Sequence, residues 1–217
     1  MAPSPLTLHA DGDDDDGLDL IDRQVIQLFA LVAEALAGAT HALLAGDRDA
    51  ARQLAASDEA IDHLYRDVEA TATRRAETLG SAEEMHYLVA VLRMLPEIER
   101  SGDLAEHVAS RAVRGLGVEL SHRSRGMIEQ MGEIACAMWR RTADAYADRD
   151  ACAADDLERL DDDLDELHVL LTAEIASGSM PIPIAIEAAL VARFYERLGD
   201  HAVNLSRRIA ALALRTG

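Results

Sequence analysis

Eight acidic residues of this 217-residue chain fall into four i, i+4 pairs: Asp58 with Asp62, Glu99 with Asp103, Asp161 with Asp165, and Glu196 with Asp200. On a helix that spacing puts both carboxylates on one face, where like charges repel unless a cation is supplied. Oxygen donors of this kind suit iron, manganese, magnesium or calcium; zinc is a poorer match, because structural zinc draws on Cys and His. The bland alternative is solvated helix surface, since the chain holds 40 acidic residues against 21 basic ones. Position along the chain separates the two readings. The midpoint of Asp58 and Asp62 lies about 20 residues before a turn expected at Gly80, and that of Glu99 and Asp103 about 21 after it. Around a second turn near Met180 the corresponding spans are about 17 and 18 residues. Antiparallel helices of equal rise would therefore bring pair to pair twice, giving two quartets.

The elements that must hold these residues are helical. From Leu18, apolar residues recur at steps of three and four (Ile21, Val25, Leu28, Val32), the period of an amphipathic helix. The pattern predicts helices over 18–45, 48–75, 81–115, 121–147, 150–176 and 184–214. Gly46 closes the first, and Ser81 with Glu84 forms a capping box that opens the third. Gly102 and Gly199 sit inside helices at a cost of about 1 kcal/mol each relative to Ala, which points to close approach of a neighbour. Ile98 and Tyr195 directly precede the glutamates, so the acidic face should border the core and stay at the surface.

The halves repeat. Gly46-Asp-Arg-Asp-Ala50 matches Ala147-Asp-Arg-Asp-Ala151, Asp58-x-x-Ile61-Asp62-x-Leu64 matches Asp161-x-x-Leu164-Asp165-x-Leu167, and Glu99-Arg100-x-Gly102-Asp103 matches Glu196-Arg197-x-Gly199-Asp200. The expected architecture is all-α, two tandem pseudo-symmetric three-helix bundles over 18–117 and 118–217. Residues 1–17, with Pro3, Pro5 and an aspartate run, read as a disordered acidic tail. A net charge of −19 argues against nucleic acid as a partner and for cations or basic protein surfaces. Cys136 and Cys152 lack metal-type spacing and read as free thiols in the cytosol. No stretch approaches about 20 uncharged apolar residues, so neither export nor membrane insertion is expected.

With Glu-Arg-x-Gly-Asp on the last helix of each half, the chain resembles the PhoU family of phosphate-transport accessory proteins, over nearly everything from Leu18 to Leu214. The most specific pieces are Leu95-Pro-Glu-Ile-Glu99-Arg-Ser-Gly-Asp103 and Arg193-Phe-Tyr-Glu196-Arg-Leu-Gly-Asp200. The resemblance implies two symmetric three-helix bundles whose acid pairs hold multinuclear iron or other metals. Carried over by position, the ligands are Asp58, Asp62, Glu99 and Asp103, then Asp161, Asp165, Glu196 and Asp200. It also implies a cytoplasmic negative regulator of phosphate uptake, dimeric, with no catalytic step. Such a regulator links the ATPase subunit of the phosphate ABC transporter to a sensor histidine kinase at the inner face of the membrane. One departure is the start of the third helix, where Ser81-Ala-Glu-Glu-Met-His replaces the family's Pro-Val-Ala-x-Asp-Leu-Arg-like stretch.

Two readings compete with this one. A ferritin-like di-metal oxidase would use Glu-x-x-His pairs, and Glu83 with His86 and Glu119 with His122 have that spacing. Both fall at expected helix starts, far along the axis from the other carboxylates. A helical adaptor that binds no metal shares the fold and differs only in metal content.

Overall fold

The three- and four-residue apolar stripes become eight helices in the computed structural model, which describes residues 13–56, 59–78 and 80–216; among these there is no strand. The first half comprises α1 (Asp13–Ala45), α2 (Arg48–Ala56), α3 (Glu59–Ala76) and α4 (Ala82–Val113). After a short α5 (Leu116–Glu119), the second comprises α6 (His122–Asp148), α7 (Ala153–Ala176) and α8 (Ile182–Thr216).

Local signals set most of the ends. Gly46 takes φ 69°, a left-handed conformation that glycine adopts freely at a helix C-terminus. Ser81 caps α4, its Oγ accepting from the Glu84 N–H at 3.1 Å, while Glu84 accepts from the Gly80 N–H at 2.9 Å and from Arg75 at 2.8 Å. Ser121 caps α6 in the same way, accepting from the Ser124 N–H. Over the helix expected at 48–75 the described residues are helical on both sides of Ser57 and Asp58, as α2 and α3, and those two residues lie outside the described ones. Two expectations need correction, those on the N-terminal tail and on long apolar stretches. Helix α1 begins at Asp13, inside the stretch 1–17 read as a disordered tail; residues 1–12 lie outside those described. Finally, Gly17–Ala45 is long and apolar enough to cross a membrane by length and composition, Glu34 being its only charged residue after Arg23. Half of its most apolar window is buried within the protein, with Ile21, Val25, Leu28, Phe29, Val32 and Leu36 wholly covered, as in the central helix of a globular core.

Across the halves α1 packs on α6 and α4 on α8, so a single hydrophobic core runs through both repeats, and the boundary expected between 117 and 118 falls inside α5. Trp139 is fully buried and donates from Nε1 to the Leu198 carbonyl at 3.1 Å; Tyr195, also fully buried, shares a hydrogen bond with Thr40 at 2.8 Å. At one end of this junction Asp22 of α1 accepts from Tyr87 of α4 (2.7 Å), Tyr146 of α6 (2.6 Å) and both Oδ atoms from Arg149 (2.7 and 2.8 Å). Arg149 caps α6 at φ 52°, its guanidinium 4.5 Å from the Tyr146 ring centre. That backbone conformation is costly for a side chain other than Gly or Asn, and the ion pair from Nη2 to both Asp22 oxygens, with the stacking, offsets it.

Candidate functional site

In the second half the sequence places its carboxylates by placing the leucines around them. Leu157, Leu164 and Leu171 bury one stripe of α7, and Tyr195, Leu198, Ala202 and Leu205 bury one stripe of α8. Asp161 and Asp165, then Glu196 and Asp200, fall on the flanks of those stripes, so the four line the seam where the two helices pack. Gly199 lets the seam close. A Cβ built there would stand 2.5 Å from Asp161 Oδ1 and 2.7 Å from Leu164 Cδ2, so the missing side chain is the space Asp161 occupies.

The electrostatics follow from that proximity. Burial pushes the Asp161 carboxyl up to about 6, and Asp165, Asp200 and Glu196 add to the rise. Glu196 is raised by burial and by Asp200, against the opposing pull of Arg193, with which it is ion-paired, and of His168. Its second oxygen, Oε2, is sealed from solvent without a hydrogen-bond partner, an uncompensated acceptor at the rim of the core. Asp165 and Asp200 are exposed while Asp161 and Glu196 are half-buried, so the cluster is a rim whose inner members are partly desolvated.

The first half repeats the theme in part. Asp58 lies outside the described residues. Burial raises Asp103, and Asp62 and Glu106 raise it further, while His107 and Arg100 oppose the shift. Glu99 makes its charge felt at Tyr65 of α3, whose hydroxyl is raised chiefly by burial and then by Glu69 and Glu99. The α3–α4 seam thus carries Asp62, Glu99 and Asp103, with Asp62 and Asp103 brought together. Among the described residues no group of three or more His, Cys, Asp or Glu side chains converges closely enough to hold a metal ion as placed. Acidic neighbours are near enough to help raise Asp161, Glu196 and Asp103, yet the carboxylates do not converge on one point.

The Glu-x-x-His pairs of the oxidase reading do not join the quartets. Glu83 and His86 are exposed in the first turn of α4, about 25 Å along its axis from Asp103. Glu119 and His122 lie on different helices, α5 and α6, both exposed. His107 is exposed and stacks on Phe194, ring centres 5.3 Å apart. Met138 and Trp139 are core residues. Sequence reasoning missed His201, buried against Ser101, and the Asp22–Arg149 knot; partners about 100 residues apart carry no periodic signal, although Arg149 stood in the repeated Asp-Arg-Asp motif.

A family model described as PhoU domain matches residues 25–112 and again 128–209. The phosphate-specific transport system accessory protein PhoU homolog 2 of Mycobacterium tuberculosis is 30% identical over 199 residues, spanning 88% of this chain and 92% of that protein. A PhoU homolog from Rhizobium meliloti is 24% identical over 204 residues, spanning 92% and 86%. The crystal structure of PhoU from Pseudomonas aeruginosa superposes with a TM-score of 0.85 at 23% identity, over 94% of this chain and 99% of that one. That of the phosphate transport system regulatory protein PhoU from Streptococcus pneumoniae gives 0.84 at 22%, over 92% and 96%.

Proposed function

This chain belongs to the PhoU family, and we propose that it is an accessory regulator of a phosphate transport system, restraining phosphate uptake and the phosphate-starvation response. In this reading it is a metal-binding adaptor, working as a homodimer in the cytoplasm at the inner face of the membrane. Its partners are the ATPase subunit of the phosphate ABC transporter and a sensor histidine kinase. No catalytic step is required.

The observation that carries the metal part is the α7–α8 seam. Asp161 sits in the space Gly199 leaves, and Glu196 Oε2 lies sealed without a hydrogen bond beside it. A donor set of carboxylate oxygens, three or four to a seam, fits a hard cation, iron first and manganese, magnesium, calcium or zinc after it. Asp161, Asp165, Glu196 and Asp200 would hold it in the second half, and Asp58, Asp62, Glu99 and Asp103 in the first. What a bound cation supplies there is positive charge. Asp161 and Glu196 can then ionise fully, α7 and α8 no longer repel along their acidic rims, and the seam presents one fixed surface to a partner.

The test is recovery of the transporter ATPase subunit and of the kinase on immobilised protein, wild type against Asp103→Ala plus Asp200→Ala, with metal content measured on protein purified without chelator. Loss of metal together with loss of partner is expected. Equal recovery of partner removes metal from the mechanism and leaves the metal-independent adaptor.

A further inference from the structure

Helices α4 and α8 run antiparallel across the junction of the halves, and the repeat makes each the counterpart of the other, Glu99 and Asp103 of α4 answering to Glu196 and Asp200 of α8. The same equivalence relates Glu97 to Phe194 and Arg208 to Arg111. The contacts obey it: Arg208 donates to Glu97 at 3.3 Å, and the Arg111 guanidinium lies 4.9 Å from the centre of the Phe194 ring. Near the start of α8, Glu187 is clamped by two arginines of α4, with Arg111 at 3.2 Å and Arg114 at 3.0 Å.

The corresponding place in the first half holds one part of that clamp and lacks two. Arg208 stands where Arg111 does, but Ala90 replaces Glu187 and Ala211 replaces Arg114. Where those two long side chains are missing there is a cleft of about 180 Å³, walled by Val89, Ala90, Ala211 and Leu212 and edged by Arg93 and Arg208. No carboxylate lines it, in a chain with 40 acidic residues. Arg208 gives Nη2 to Glu97, while its Nη1 has no hydrogen-bond partner among the described residues and 39% of its side chain is exposed. Arg93, where the second half has Leu190, is exposed and makes neither a hydrogen bond nor an ion pair among the described residues. Guanidinium donors are suited to a carboxylate, as the Glu187 clamp shows in the other repeat. Apolar walls favour a ligand with hydrocarbon behind its charge. A cavity of about 150 Å³ holds a six-carbon ring, so the cleft has room for a carboxyl group and a short chain.

We infer that this cleft binds a small aliphatic monocarboxylate of about five or six carbons, its carboxylate on Arg208 and Arg93 in the place that Glu187 fills in the other repeat, and its chain against Val89, Ala211 and Leu212. The site uses no residue of the acidic seams and stands whether or not they hold metal.

The test follows the methyl signals of Ala90 and Ala211 by NMR in the full-length chain, during titration with hexanoate and, separately, with hexanamide and with inorganic phosphate. Hexanoate should shift both signals saturably, with a dissociation constant of about 5 mM or below. Hexanamide, of the same shape without the charge, and phosphate, charged without the chain, should each bind at least tenfold more weakly. Ala90→Glu supplies from within the carboxylate that the other repeat carries, and should abolish the hexanoate shift at Ala211 with the melting temperature unchanged or raised. Arg93→Gln, at an exposed position, should weaken hexanoate binding at least threefold with an unchanged melting temperature. No saturation by about 50 mM hexanoate, equal binding of hexanamide or of phosphate, or full hexanoate affinity in either variant overturns the inference.

Discussion

Replacing Gly199 with Ala sets two effects of opposite sign against each other. On helix propensity alone, Ala in the interior of α8 should stabilise the protein by about 1 kcal/mol. Against this, the new methyl would stand 2.5 Å from Asp161 Oδ1 and 2.7 Å from Leu164 Cδ2. The carboxylate can swing away toward solvent. Leu164 is fully buried and cannot, so the methyl overpacks the α7–α8 interface at a cost of about 1–3 kcal/mol. The expected balance is a loss of about 0–2 kcal/mol, or up to several degrees in melting temperature for a chain of this size. Gly126→Ala is the matched control: Gly126 lies within α6, with nothing within 4 Å of its would-be Cβ, so propensity acts unopposed and stability should rise by up to about 1 kcal/mol. Urea unfolding of both variants, in chelator and again with ferrous iron or manganese, gives the comparison. If Gly199→Ala were as stabilising as Gly126→Ala, the close approach of Asp161 to α8 would be refuted, and the second quartet with it.

Asp22→Ala removes the acceptor of Tyr87, Tyr146 and Arg149 at once, leaving a half-buried guanidinium and two hydroxyls without it, and should cost about 2–4 kcal/mol in urea unfolding; a loss under about 0.5 kcal/mol would mean the knot is incidental. Asp161 gives a pH signature. Its folded pKa, raised to about 6 by burial and its acidic neighbours, lies above the ordinary carboxylate value, so the folded state holds the proton more tightly than the unfolded chain. The metal-free protein should therefore lose stability from this group as pH rises from about 4 through about 6, and Asp161→Asn should flatten the slope; a wild-type melting temperature that climbs over that interval, with Asp161→Asn matching it, would contradict the assignment.

Much of the fold is legible in the sequence because its signals are local. The Ser81–Glu84 cap, the glycine at 46 and the spacing of Ile21, Val25 and Leu28 each fix backbone within a few residues. Pro96, inside α4, shows the converse: a residue that commonly ends helices is held within one by packing around Leu95 and Ile98. The acidic pairs were legible through the repeat and through equal distances from the turns, and the seam at Asp161 and Gly199 agrees with that arithmetic. Arg149, Asp22, Ser101 and His201 were not, because each finds its partner in another helix at a separation set by the packing of whole halves.

The core shared by α1 with α6 and α4 with α8 also bears on what half of this molecule could be. A fragment ending near Gly117 would leave Phe29, Thr40 and Ser101 facing water where Trp139, Tyr195 and His201 of the other repeat now lie. Its cheapest remedy is a second copy of itself, docked across the same line of pseudo-symmetry. Joining the copies in one polypeptide makes that encounter independent of concentration, and frees each copy to drift until Ser101 in one meets His201 in the other.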